Sequence, residues 1–350
     1  MKKSFLFVLF YQQTYPHVSL YGKIVLTLPG KITSMEQPVS LRGMGVALAT
    51  PFRNDFSVDY DALEHLIDYQ IVNGADYLVV LATTSEAVTL SCPERHEVAR
   101  FVAEKTAGRV PLIMGMSNNC TAELVRHIPE VDFTGYSAIL SVVPYYNKPS
   151  QEGIYRHFKA IAEASPLPIV LYNVPSRTGK NMEAETTLRL AHEFPGKIAG
   201  IKEASGNLEQ AAAIIAGKPD GFSVVSGDDS LTRHLICLGA EGVISVVGNA
   251  LPRLFSTMVH LTLEDHSSIE AENIDRSMQA LDKALFAEGN PSGLKCLLHH
   301  LGLAENVLRL PLVPVSDKTD KDIAEALSAL STQIEHTGHT SQFCNTEINL

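Results

Sequence analysis

At 350 residues, 45% hydrophobic and 19% charged, the chain has the composition of a globular protein with a sizeable core, which excludes disorder throughout. A formal net charge of −11 and the lack of any Lys/Arg run argue against binding to nucleic acid or to an anionic membrane surface. The five cysteines (Cys92, Cys120, Cys237, Cys296, Cys344) and thirteen histidines show no CxxC, no HExxH and no linear Cys/His spacing of a metal site. Reduced thiols, a cytoplasmic setting and no metal are therefore expected.

The first forty residues stand apart. Met1-Lys2-Lys3 followed by the apolar Phe5–Tyr11 imitates a signal peptide, but Gln12 and Gln13 interrupt it and no A-x-A cleavage pattern follows. Residues 1–40 read as an N-terminal extension, an appendage or a targeting segment, with Met35 and Met44 as alternative starts. The run is too short to span a bilayer as a helix.

From residue 43 onward, short apolar runs alternate with helical patterns. The runs are Met44–Thr50, Tyr77–Ala82, Val110–Met116, Ser137–Val143, Pro168–Val174, Ile198–Glu203, Phe222–Gly227 and Gly242–Val247. They are continuous rather than alternating, as in parallel strands buried on both faces. Between them, Asp59–Asn73 opens on an Asp cap and stops before Gly74, Pro93–Thr106 starts on proline, and Ser150 caps Ser150–Ala164. Eight such strand-helix units predict an α/β (β/α)8 TIM barrel over 41–265 rather than a doubly wound sheet. Gly43-Met44-Gly45 precedes the first strand and lacks the third glycine of a dinucleotide motif. Helical stretches at Leu251–Leu263, Ser268–Leu285, Pro291–Leu301 and Lys318–Leu330 predict a C-terminal helical subdomain over 266–335. Polar, aperiodic residues 336–350 read as a disordered tail.

In such a barrel the chemistry belongs at the C-terminal strand ends. There the sequence places Thr83-Thr84-Ser85-Glu86, Tyr145-Tyr146, Tyr172 with the loop Asn173–Gly179, Lys202, and Ser226-Gly227-Asp228-Asp229. Lys202 follows the apolar Ala199-Gly200-Ile201 and has two readings. It could be the cation of a salt bridge to Glu203 or Asp228. Alternatively it is a desolvated amine of lowered pKa, able to attack a carbonyl and form a Schiff base. Phenols and hydroxyls at neighbouring strand ends, without a phosphate cradle, suit the proton transfers of carbinolamine and enamine chemistry. Arg177 above the mouth suits a carboxylate clamp. Alternation along the strand turns Glu203 outward, where it is expected to pair with a cation or cap a helix.

Taken together, the stretches GVALATPF, ATTSEAVTL, PYYNKPSQEGIYRHFKAIAE, LYNVPSRTG, GIKEASGN, SGDD, GVISVVGN and GNPSGLK resemble the dihydrodipicolinate synthase and N-acetylneuraminate lyase superfamily of class I aldolases, over about residues 42 to 315. The resemblance implies a lyase in which Lys202 captures pyruvate as a Schiff base and Tyr172, Thr83 and Tyr146 form a proton relay, Tyr146 coming from a neighbouring subunit. It further implies that Thr84, Ile244 and Gly227 hold pyruvate and that Arg177 binds the carboxylate of the second substrate. The arginine-bearing SRTG loop points to the members that condense pyruvate with L-aspartate 4-semialdehyde in lysine and diaminopimelate biosynthesis. An N-acetylneuraminate lyase or a 2-keto-3-deoxy sugar acid aldolase is the alternative enzyme, and a catalytically dead barrel the alternative of another class. The resemblance also implies a homotetramer built as a dimer of dimers, small-molecule substrates only, and no cofactor. Two departures stand out. Ala82 and Ser85 replace two glycines of the family's turn, which raises the question of positive φ there. Ala87, Cys92 and Arg95 stand where lysine-inhibited members carry a serine and two histidines, so feedback by lysine is not implied, although Asn119, Glu123 and Tyr145 match that pocket.

Overall fold

The computed structural model describes residues 39–336; the expectations for 1–38 and for the tail after 336 lie outside these described residues. Eight parallel strands close into a barrel in chain order. They are β1 (Gly43–Ala47), β2 (Tyr77–Val80), β3 (Leu112–Gly115), β4 (Ala138–Val142), β5 (Ile169–Asn173), β6 (Ile198–Glu203), β7 (Ser223–Ser226) and β8 (Gly242–Ser245). The (β/α)8 expectation is met. The apolar runs overshoot most strand ends by one to three residues, because the chain stays apolar while it bends out of the ladder: Leu48 still donates to the Val79 carbonyl after β1 has ended.

The helices α1 (Tyr60–Val72), α2 (Cys92–Thr106), α3 (Thr121–His127), α4 (Gln151–Ala164), α5 (Pro175–Thr178), α6 (Ala184–Glu193), α7 (Leu208–Gly217) and α8 (Thr232–Cys237) follow their strands. Their starts obey local chemistry. The Asp59 carboxylate accepts from the Ala62 N–H, Ser91 and Glu94 form a capping box on α2, and Ser150 accepts from Gly153 N–H. After β8 come α9 (Pro252–Glu264), α10 (Ile269–Phe286), α11 (Ser292–His300) and α12 (Asp317–His336). Leu281, Leu285, Leu294, Leu297, Ile323 and Leu327 join these helices to the core around β1 and β2.

The barrel lumen is filled, not hollow. Ala47, Tyr77, Val79, Ile113, Leu140, Val170, Val225 and Ile244 form one buried cluster with Tyr172. Tyr77 donates its hydroxyl to the Val243 carbonyl at 3.0 Å. Its ring takes the space opposite Gly45, where a Cβ would lie 2.1 Å from the ring edge. Closure depends on another small residue. At the β1–β8 seam Gly43 pairs with Gly242, and a Cβ on Gly242 would stand 2.0 Å from the Gly43 carbonyl oxygen. Gly242→Ala is therefore expected to lower unfolding free energy by about 3 kcal/mol in chemical denaturation, the upper end for overpacking. Gly196→Ala, at a loop position with φ +74 and open space around it, should cost only about 1 kcal/mol.

Candidate active site

Lys202 is the penultimate residue of β6 and is 4% exposed. Burial pulls its amine from 10.5 down to about 8; the charge of Asp229 opposes that shift and that of Arg177 adds to it. Among the described residues no carboxylate lies within 4.0 Å of the amine, so the salt-bridge reading fails for both Glu203 and Asp228. Instead the amine stands 4.6 Å from the centroid of the Tyr172 ring, on the strand partner paired with Lys202 in register. Space for the lysine stem comes from Gly227 at the end of β7, where a Cβ would meet Lys202 Cε at 2.9 Å and Cγ at 3.0 Å.

Glu203 points outward as alternation requires, but it neither pairs with a cation nor caps a helix. Its carboxylate accepts from Asn173 Nδ2 at 3.1 Å, Gln210 Nε2 at 3.1 Å and Ser205 N–H at 2.7 Å. Asn173 is its in-register neighbour on β5, so an amide cluster with Asn181 occupies the place expected for a cation. Three donors and no full charge satisfy this buried acid.

Tyr172 is buried, and burial pushes its phenol above 10; the nearby Arg177 charge and the Thr83 side chain pull it back. The structure thus joins Thr83, Tyr172 and Lys202. Thr84 is buried beside them, and its hydroxyl accepts from Asn290 Nδ2 at 2.9 Å. Arg177, in the short helix α5, donates to the Asn290 carbonyl at 3.0 Å. A cavity of about 1230 Å³ opens above, with Thr83, Tyr172, Arg177 and Asn290 in its wall. Lys202, Thr84, Gly227 and Ile244 do not line it, though Ile244 packs with Tyr172 in the lumen cluster. Tyr146 is not brought to the site within this chain. It is 89% exposed with φ +73 and lies outside the cavity wall.

Two contributors escaped the sequence reading. Asn290 bridges Thr84 and Arg177 from the quoted GNPSGLK stretch, whose role no local signal revealed. From the same stretch Lys295 forms a fully buried pair with Glu86 at 2.5 Å. Lys295 also donates to the Val307 carbonyl at 2.9 Å and lies 3.9 Å from the Phe52 ring centroid. This pair anchors the turn that carries Thr83 and Thr84. The replaced glycines do not take positive φ; the left-handed positions are Leu81 (φ 59) and Glu86 (φ 52), on either side of them. Strain of this kind costs on the order of 1–3 kcal/mol per residue and persists only where contacts hold it. At Glu86 they include the ammonium of Lys295 and the Arg309 N–H at 3.1 Å.

A desolvated lysine without a counter-ion at the mouth of a (β/α)8 barrel, against a phenol with a threonine hydroxyl nearby, defines an enzyme of the class I aldolase type. The chain belongs to the dihydrodipicolinate synthetase family, which it matches over residues 40–330. It is 55% identical over 294 residues to the 4-hydroxy-tetrahydrodipicolinate synthase of Parabacteroides distasonis, covering 84% of this chain and 98% of the relative. Its fold matches the 4-hydroxy-tetrahydrodipicolinate synthase of Methylacidiphilum fumariolicum SolV with a TM-score of 0.82 at 38% identity, covering 86% of this chain and 99% of that one. The chloride-inhibited dihydrodipicolinate synthase of Acinetobacter baumannii, solved in complex with pyruvate, matches at TM-score 0.80 and 38% identity over 83% and 99% of the two chains.

Because the folded-state value of Lys202 lies below that of the unfolded chain, its burial opposes folding wherever the amine is protonated. The cost is complete below about pH 8 and vanishes as pH approaches 10.5. Lys202→Met should therefore raise unfolding free energy by about 3 kcal/mol at pH 7, and denaturant titrations should show the gain shrinking above pH 8. A gain independent of pH would mean that the lysine is not desolvated.

Proposed function

We propose that the chain is a 4-hydroxy-tetrahydrodipicolinate synthase, condensing pyruvate with L-aspartate 4-semialdehyde through an imine on Lys202. The observation that carries this is the uncompensated burial of Lys202 against Tyr172, within a family whose relatives bear that name. At about 8, close to a tenth of the amine is neutral at pH 7, about three-hundredfold more than for an exposed lysine. The neutral amine adds to the keto carbon of pyruvate to give a carbinolamine. Loss of water gives the protonated imine, whose positive charge makes the methyl carbon acidic, so that a base can remove one of its protons and leave the C–H electron pair as the enamine double bond. The resulting enamine attacks the aldehyde carbon, and the substrate's own amine then displaces Lys202 as the ring closes.

Each of these steps moves a proton, and we assign its transfer to Tyr172 with Thr83, which the closeness of the two side chains supports. Thr84, Ile244 and Gly227 are assigned to pyruvate, and Arg177 to the carboxylate of the semialdehyde. Arg177 supports this by its place on the cavity wall, already oriented by Asn290. Tyr146 completes the relay only if a second copy of the chain supplies it, and its 89% exposure on this chain supports an oligomer, which we assign as a tetramer. We assign it further to the cytoplasm; among the described residues no helix is long and apolar enough to cross a membrane.

A condensation assay offering aspartate 4-semialdehyde, N-acetylmannosamine and sugar-acid aldehydes in turn separates the synthase from the other aldolases. Turnover is expected with the semialdehyde, and its absence overturns the assignment. Arg177→Ala should raise KM for the semialdehyde by about 10- to 100-fold, the value of a charge-assisted hydrogen bond, with KM for pyruvate nearly unchanged.

A further inference from the structure

The wall of the same cavity carries a cluster that the condensation does not use. Cys92 and His96 sit one turn apart on one face of α2, and His127 is the last residue of α3. Cys92 Sγ lies 4.0 Å from His96 Nε2, and the His96 and His127 rings stack with centroids 6.0 Å apart and planes at 24°. One donor atom from each of the three residues falls within 4.8 Å of the others. The linear spacing could not show this, because the third member comes from another helix.

Three polar side chains near a surface are common, so the orientation of the donors decides. His127 Nδ1 is 3.1 Å from Glu130 Oε2, and a carboxylate oxygen there can only accept. With Nδ1 donating to the carboxylate, Nε2 keeps its lone pair for a ligand, the arrangement in which metal-binding histidines are held. The second Cys/His/carboxylate group, Cys296, His300 and Asp320, differs. There the Cys296 thiol and His300 Nε2 both bond Asp320, at 3.2 and 2.5 Å, so the group is already satisfied internally. Burial pushes that thiol up to about 12.

We propose that Cys92, His96 and His127 form a binding site for a zinc-like divalent cation, with Glu130 orienting His127 and a fourth position open to the cavity. A thiolate with two imidazoles is a zinc donor set, and three protein ligands leave one position for water. Tetrahedral zinc brings sulfur and nitrogen to about 3.6 Å, so the 4.0 Å gap between Cys92 and His96 closes by a small rotamer adjustment. The metal-bound thiolate would stand in the first turn of α2, where negative charge is favoured.

The test is titration of the metal-free, full-length protein with zinc against a chromophoric chelator, and with cobalt, whose thiolate charge-transfer band reports sulfur ligation. One metal per chain with that band is expected. Cys92→Ser should remove the band and weaken zinc at least a hundredfold, and His127→Ala should weaken it comparably. Glu130→Gln should weaken zinc about tenfold with the band retained, and Cys296→Ser should change neither. Circular dichroism checks that each variant folds. Absence of stoichiometric binding, a band surviving in Cys92→Ser, or a band lost in Cys296→Ser would each overturn the proposal.

Discussion

The absence of a counter-ion beside one buried ammonium is the constraint around which the barrel mouth is arranged. Lys202 emerges from β6 among apolar neighbours, and no carboxylate of the described chain approaches to within ion-pair distance. Glu203, the acid next to it in sequence, is on the opposite face of the strand and engaged by Asn173, Gln210 and the Ser205 N–H. Asp229 influences the amine from further off, its Oδ2 engaged by the N–H groups of Val246 and Val247. What the ammonium has instead is an aromatic face, a weaker partner that leaves the amine easier to deprotonate. Gly227 keeps the stem's path open.

The chain holds a second buried lysine, and the contrast separates reactivity from burial. Lys295 is likewise pulled down to about 8 by desolvation, yet Glu86 stands 2.5 Å away and the Val307 carbonyl accepts from it. A neutral amine there would leave the Glu86 carboxylate buried without its counter-charge, which is expensive. Lys295 is thus a fixed strut. It ties α11 to the turn bearing Thr83 and Thr84, while Asn290, five residues earlier, ties that turn to Arg177. The Thr83-Thr84 turn and the Arg177 loop are thus held from the same C-terminal stretch.

The barrel was legible because buried parallel strands leave unbroken apolar runs, and Ile198–Glu203 matches β6 at both ends. The caps of α1 and α4 were legible because Asp59 and Ser150 satisfy N–H groups within three residues of themselves. That Lys202 would be buried without a counter-ion could be expected only from its company, since one sequence position cannot reveal whether an acid approaches from another strand. What remained hidden depends on contacts distant in sequence. Asn290 reaches Thr84 across 206 positions, and the amides around Glu203 come from β5 and α7. The turn lost two glycines without taking left-handed φ at either, because the strained positions lie at Leu81 and Glu86 instead.

In the proposed mechanism, desolvation without a counter-ion, not burial alone, makes Lys202 the nucleophile. Borohydride reduction in the presence of pyruvate, followed by peptide mass mapping across a pH series, tests it directly. One adduct per chain is expected, on Lys202, forming at a rate that rises with pH and levels off near pH 8. An adduct on Lys295, or no adduct on folded protein, would contradict it.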